Sequence, residues 1–381
     1  MKKKILIVNK SFELGGIQMA LANLLDEICD EYDITLAIFN PRGPFLERLP
    51  KNIRLLKLSP FTAVLGMTYA DCKKYGSLPQ RLFKITSTVW SKFFGNRLPI
   101  SFALAFQKNV GDYDIAISYH QETTSQTMVS GFGSFALRKC NAKKRIAWIH
   151  ADFLSTKLAT PANLKTYRQF DRIVSVSRTA MDRFITAYPE LKDKCDFCYN
   201  PVPIAEIVKN SNDSSIALER TEHDLVLFSA CRLVPVKGLA PTLEKLIPIF
   251  TRHDNLKWYI AGAGPEGVKL QTLIKEHNLQ NQVRLLGFVQ NPYPYMKQAD
   301  YLFVPSFHES FGMVVGEAHA LGTPVIASDI PVMHEMLTQM DYLSVNNEYT
   351  PIIEKLMTIK MSKKTFPSME WKEQFERVLE C

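Results

Sequence analysis

Twice along this chain, short apolar runs alternate with stretches of helical periodicity. The first series places strands at 5–8, 32–40, 53–58, 115–118, 143–147 and 172–177. The second places them at 225–230, 258–261, 283–289, 301–304 and 325–327. Short buried strands separated by helices argue for parallel sheets joined by crossover helices. A chain of 381 residues exceeds what one core usually sustains, so two α/β units are expected. Ser211-Asn-Asp-Ser-Ser215 is polar and turn-rich, and marks the edge of the join.

The most informative loop follows Tyr301-Leu-Phe-Val304. Pro305 ends that strand, having no N–H to continue a ladder. Ser310 is a good helix N-cap, and 311–321 has helical character. Gly322 stands where a C-cap glycine would, with Pro324 just beyond. Glu309 therefore falls in a loop at a helix mouth, and Glu317 lies about two turns inside. Eight residues drift roughly 80° around a helix, so the two carboxylates would reach different parts of one ligand. Amides at the mouth favour an anion. The plain alternative is two solvated glutamates on an ordinary βαβ helix.

Glu309-x7-Glu317, followed by Ala-x-Ala-x-Gly-x-Pro-Val, resembles the signature of the retaining glycosyltransferases of family 4, which have the GT-B fold. The resemblance runs from residue 4 to about 335. Cys231-Arg-Leu-Val-Pro-Val-Lys-Gly238 matches the family's Arg-x4-Lys-Gly, and an arginine and a lysine on one turn can bracket a diphosphate. Gly262-Ala-Gly-Pro265 resembles its Gly-x-Gly-Pro, and Leu286-Gly-Phe-Val289 its turn beside the nucleobase. Gly15-Gly16, between a strand and a helix read over 18–27, is similar to its glycine loop, although Gln18 stands where members often have Glu. His150 ends an apolar strand where members place a histidine facing the donor sugar. Beyond 335 the likeness fades. Asp341-Tyr-Leu-Ser-Val345 occupies the place of a Gly-Gly-Leu-Val loop.

The resemblance implies an α/β chain of GT-B architecture, with two Rossmann-like doubly wound domains facing across a cleft. Residues 1–205 would form the acceptor side and 206–365 the nucleotide-sugar side, with 366–381 a helix crossing back to the first. The implied reaction moves a sugar, with retention, from a nucleoside-diphosphate sugar to a hydroxyl of a glycan or lipid-linked acceptor. UDP-sugars are favoured, and surface polysaccharide or capsule biosynthesis is the setting. His150 and Glu309 are the catalytic residues expected. Gly15, Gly16, Arg232, Lys237, Val289, Ser310, Phe311, Gly312, Met313, Val314 and Glu317 would bind the donor. Arg232, Lys237 and the helix mouth can supply the positive field, so no cofactor and no metal is expected. Asp112-Tyr-Asp114 resembles the metal motif of the other large glycosyltransferase fold, but reads as a turn before a strand. Three alternatives stay open: an epimerase on the same fold, a non-catalytic nucleotide-sugar-binding protein, and a retaining hydrolase. The hydrolase would need two carboxylates about 5 Å apart.

A formal charge of +8 calls for an anionic partner, here a nucleotide and a membrane surface rather than a nucleic acid. Residues 60–110 break the strand–helix rhythm and mix aromatic with basic residues, Asp71 being their only acid. Such a stretch can lie on an anionic membrane, or it can be helices covering the sheet with solvated lysines. No run is apolar for long enough to span a bilayer, and Met1-Lys-Lys-Lys-Ile-Leu-Ile-Val8 is too short for a signal peptide. A cytoplasmic protein, peripheral on the inner face of the membrane, is expected. Of seven cysteines only Cys195 and Cys198 form a CxxC, which lacks the second pair of a zinc site.

Overall fold

The computed structural model describes residues 2–358 and 371–380. The chain divides into two compact units, Met1–Pro201 with Glu370–Cys381, and Val202–Met369. Of the expected domain segments, 359–365 and 366–370 lie outside the described residues, as does 381.

The first unit holds strands β1 (Lys4–Ser11), β2 (Asp33–Asn40), β3 (Arg54–Leu55), β4 (Asp112–Ser118), β5 (Asn141–Ile149), β6 (Arg172–Ser175) and β7 (Cys195–Phe197). Its helices are α1 (Gly16–Ile28), α2 (Pro60–Val64), α3 (Tyr69–Tyr75), α4 (Leu78–Phe94), α5 (Arg97–Ala105), α6 (Phe132–Arg138), α7 (Pro161–Tyr167) and α8 (Arg178–Ala187). All strands pair in parallel, in the order β3-β2-β1-β4-β5-β6-β7. Ile5 to Val8 of the central strand are fully buried, which is why they read as a continuous apolar run. The chain winds outward from β1 to β3, then jumps back to place β4 on the other side of β1. The switch point is therefore β1/β4.

The second unit begins with α9 (Ile204–Asn210). Its strands are β8 (Leu225–Ala230), β9 (Leu256–Ala261), β10 (Val283–Gly287), β11 (Tyr301–Val304), β12 (Val325–Ser328) and β13 (Tyr342–Ser344). Between them run α10 (Leu239–Arg252), α11 (Gly267–Glu276), α12 (Tyr293–Gln298), α13 (Met313–Ala320) and α14 (Pro331–Met336), with α15 (Thr350–Leu356) after β13. The order β10-β9-β8-β11-β12-β13 puts this switch point at β8/β11. Both sheets are thus doubly wound, as the alternation of runs predicts. In such sheets ligands bind beyond the carboxyl ends of the strands at the switch point.

The last helix, α16 (Trp371–Glu380), belongs to the first unit. Phe375 meets the rings of Tyr32 and Trp148, both with centroids 6.1 Å away. Gln374 Oε1 accepts from the Tyr199 amide at 2.9 Å.

Residues 60–110 are helical, from α2 through α5, and α4 is turned inside out. Its polar residues Lys84, Ser87 and Ser91 face the protein and are buried. Leu78, Leu82, Ile85, Val89 and Phe93, spaced i, i+4, i+7, i+11, i+15, face outward, Leu78 at 70% and Phe93 at 77% exposure. Arg81 and Lys92 are exposed on the same helix. No helix among the described residues is long and apolar enough to cross a membrane.

Candidate functional site

At the second unit's switch point, two loops are tied together. The 231–238 loop follows β8 and the 305–312 loop follows β11. The Phe307 amide donates to the Val236 carbonyl at 2.9 Å. Gly238 has φ +65°, and a Cβ there would stand 2.1 Å from the Pro305 carbonyl oxygen. This position needs glycine twice over, for its left-handed backbone and for the close approach. Gly238→Ala is expected to cost roughly 2–4 kcal/mol of stability, read as a lower denaturant midpoint. An unchanged midpoint would mean that the loops are not held this way.

That junction sets the chemistry. Lys237 Nζ lies 2.5 Å from Glu309 Oε1, and Ser306 Oγ donates to the same oxygen at 2.8 Å. The two charged side chains are only 20% and 13% exposed. Arg232, on the same loop, is exposed and pairs with no carboxylate among the described residues. Lys237 and Glu309, assigned separately from sequence, are thus one ion pair, while Arg232 offers a free guanidinium.

Helix α13 starts two residues later than a Ser310 cap would place it. Its N-cap is Gly312, at φ 84°, ψ 54°, and no side chain caps it. Ser310 is therefore not the N-cap, and Phe311 and Gly312 precede the helix that Met313 and Val314 open. The glycine turns the chain sharply into the helix, and the Val315 amide donates back to the Gly312 carbonyl at 2.8 Å, which leaves the Met313 and Val314 amides at the helix mouth. Phe311 is buried and anchors the turn.

Glu317 lies deeper on α13, which packs on α9 and α12. It is 6% exposed, and among the described residues no hydrogen bond or ion pair holds its carboxylate. Burial alone pushes its pKa up to about 7. Burying a carboxylate without a partner is costly. Val289, half-buried, lies just past β10 at the same edge of the sheet. That strand is two places from β8, about 10 Å at ordinary strand spacing.

The first unit's switch point carries the other assigned residues. Gly15 precedes α1 and Gly16 opens it. A Cβ on Gly16 would meet nothing within 4 Å, and one on Gly15 only the Gln18 side chain. The fold itself does not require a glycine at 16, so the space before this helix end is left clear. His150 follows β5. Its amide donates to Gln121 Oε1 at 2.7 Å, and its ring lies 4.6 Å from that of Tyr119. Its Nε2 is shut off from water without a partner, and burial, with His120 nearby, pulls its pKa down to about 3. The ring is neutral at physiological pH.

Sequence reasoning missed His120. It follows β4, beside the switch point, with Nδ1 buried and unpartnered and a pKa pulled by burial to about 3. Asn9 Oδ1 and both polar atoms of the Asn40 side chain are likewise buried without partners. These groups cluster at the carboxyl ends of β1, β2, β4 and β5, where a polar ligand would satisfy them. The signal was present: Ile-Ser-Tyr-His120 and Trp-Ile-His150 both end an apolar strand in a histidine.

Asp112 and Asp114 sit at the opposite edge, at the start of β4. Asp112 accepts from Asn141, and Asp114 from the Lys4 amide and Lys143. Cys195 and Cys198 are free thiols whose pKa values burial pushes up, that of Cys195 to about 12.

Residues 211–369 match the family model for glycosyl transferases group 1. The O-antigen biosynthesis glycosyltransferase WclY of Escherichia coli is 30% identical over 172 residues, 45% of this chain and 47% of that protein. The Campylobacter jejuni N-acetylgalactosamine-N,N'-diacetylbacillosaminyl-diphospho-undecaprenol 4-alpha-N-acetylgalactosaminyltransferase is 30% identical over 163 residues, 43% of this chain and 42% of that protein. The match therefore spans about half the length of these relatives. Among solved structures, S. aureus TarM with UDP has a TM-score of 0.66 at 13% identity, covering 100% of both chains. Anabaena HepE with UDP and glucose has a TM-score of 0.63 at 18% identity, covering 99% of this chain and 92% of that one. At such identities the likeness is one of fold, the GT-B architecture of two Rossmann-like parallel-sheet units. The chain thus resembles the group 1 glycosyl transferases by sequence over its second unit, and shares the GT-B fold with these solved structures.

Proposed function

We propose that this protein is a retaining glycosyltransferase that moves a sugar from a nucleoside-diphosphate sugar to a hydroxyl of a lipid-linked glycan acceptor. The observation that carries the reading is Glu317: a buried glutamate without a partner among the described residues, on the helix whose mouth holds the Lys237–Glu309 pair. Ribose hydroxyls donating to Glu317 would offset its burial. The donor's diphosphate would take Lys237, Arg232 and the α13 mouth. Once Lys237 turns to phosphate, Glu309 is released to accept from sugar hydroxyls. In transfer, the bond from the anomeric carbon to the β-phosphate oxygen breaks. A bond to the acceptor oxygen forms on the same face, and the acceptor's proton leaves on the diphosphate. UDP is the favoured nucleotide, since HepE and TarM were solved with it. Surface polysaccharide biosynthesis fits the names of the relatives.

The test is nucleotide release from a panel of UDP- and GDP-sugars, with and without a polyprenyl-diphosphate-linked acceptor, in excess EDTA. Acceptor-dependent UDP release with the anomeric configuration kept is expected, because protein cations carry the leaving-group charge. Release only after Mg²⁺ or Mn²⁺ is restored would overturn the metal-independent part. Acceptor-independent isomerisation of the donor sugar would replace the transferase with an epimerase.

We further propose that the protein lies peripherally on the inner face of the cell membrane through α4. Soluble proteins bury the apolar face of a helix, and α4 does the reverse. Its stripe carries aromatic and aliphatic groups for the acyl boundary. Lys73, Lys74, Arg81 and Lys92, all exposed, suit anionic headgroups. Co-sedimentation with vesicles should rise with anionic lipid and fall with salt. Val89→Glu with Phe93→Glu should reduce it at least tenfold. Binding indifferent to both lipid charge and the two substitutions would refute the placement.

A further inference from the structure

The first unit contains an open recess of about 600 Å³, mouth included, between α5, the loop from β4 to α6, and α7. Arg97 opens α5 on one wall, and Arg138 closes α6 on another. Neither arginine pairs with a carboxylate among the described residues; Arg138 Nη1 donates only to Ser101 Oγ, at 3.3 Å. Hydroxyls of Ser101, Ser130, Ser134 and Thr166 also line the recess. Its one acid, Glu122, is already spoken for. One carboxylate oxygen accepts from Ser130 Oγ and the Gly131 amide, the other from the amides of Gly133 and Ser134. Two guanidiniums without a carboxylate partner among the described residues line the recess beside these hydroxyls, and the only carboxylate is turned onto its own hydroxyl and amide donors, which makes a receptor for phosphate oxygens.

Its location narrows the ligand. The wall begins where the outward stripe of α4 ends, since Gly95 closes α4 and Arg97 opens α5. Phe93, Phe94 and Leu98, all strongly exposed, bracket Arg97 in sequence. Asn96 Nδ2 pins this joint to the loop below, donating to the carbonyls of Thr124 and Thr127 at 3.3 and 2.8 Å. A phosphate bound here would have an apolar surface directly beside it. We propose that the recess binds the phosphate groups of a lipid-borne acceptor, with Arg97 and Arg138 on the phosphate oxygens and the hydrocarbon chain along α4. This rests on the lipid-linked acceptor and the membrane reading above, and adds the site and the two arginines that would hold the acceptor's phosphates.

The experiment measures binding to phosphatidylcholine vesicles doped with either farnesyl diphosphate or farnesol, in saturating UDP so that the donor site is filled. Wild type should prefer the diphosphate vesicles at least tenfold. Arg97→Gln and Arg138→Gln should each cut that preference about tenfold, the scale of one charge-assisted contact. Lys165→Gln, an exposed charge outside the recess, should leave it intact. Preference surviving both arginine substitutions overturns the proposal. Inorganic pyrophosphate competing as well as farnesyl diphosphate assigns the recess to free phosphate and overturns the lipid. If wild type binds neither vesicle, the membrane reading has failed. The recess is then judged by pyrophosphate alone. A rise in Tm that Arg97→Gln abolishes keeps phosphate recognition, and no rise overturns that as well.

Discussion

Lys237→Gln is expected to lower kcat for sugar transfer by about a hundredfold or more. The diphosphate gains charge as the sugar bond breaks, so a cation on it contributes most in the transition state. Removal of one such preorganised group typically costs about 10²–10³ in rate. Both kcat and kcat/KM should fall together, since the contact strengthens during reaction. The fold should survive, because Ser306 still holds Glu309 when the ammonium is gone. Glu309→Gln should also lower kcat, by at least about tenfold, through the sugar contact. The two residues form an ion pair in the free protein, so the double variant should lose less than the product of the single losses. Donor kinetics on the three variants, with circular dichroism, measure all of this. A Lys237→Gln enzyme with near-normal kcat would remove Lys237 from the leaving-group site.

Glu317→Gln is expected to make the free protein more stable while weakening its grip on donor. The carboxyl's pKa rises from an ordinary 4.5 to about 7 on folding. Folding therefore favours the protonated form. The stabilising contribution of that proton is fully present below pH 4.5 and is lost as pH rises through about 7. Above pH 7 the ionised group carries a penalty of about 3 kcal/mol, from 1.36 kcal/mol per unit. Glutamine, never charged, escapes it. At pH 8 the variant should melt several degrees higher than wild type, and below pH 4.5 the two should converge. KM for donor should rise about tenfold or more with kcat less affected, since ribose is gripped alike before and during reaction. Equal melting at pH 8 would show that the carboxylate is not desolvated in solution, and an unchanged KM would break its link to ribose.

How far these residues could be read from sequence depended on the kind of information each needs. Strand-to-loop junctions were legible, because Pro305, Gly238 and Gly322 punctuate the chain where backbone geometry demands it. Those junctions put Arg232, Lys237 and Glu309 on loops and Glu317 inside a helix, but only the family resemblance pointed from these residues to a donor. The α13 start was misread because Ser310 is a good cap by type, whereas Gly312 makes the turn by conformation. The Lys237–Glu309 pair was not legible, since it joins loops far apart in sequence and adjacent only because β8 and β11 are neighbours. His120 was passed over for the same reason: β4 matters because it stands beside β1. For α4, periodicity reveals a stripe but is blind to which side of the helix meets the protein. Only packing shows Lys84, Ser87 and Ser91 inward and the leucines outward.

The docking of α16 has a consequence for biogenesis. During synthesis β1 to β7 leave the ribosome first, and the whole second unit is translated before Trp371–Glu380 emerges. Until then Tyr32, Trp148 and the Tyr199 amide lack the cover that Phe375 and Gln374 provide. The unit made first is thus the last to be finished. A nascent chain stopped before residue 371 would hold an aromatic patch open to chaperones and to other chains.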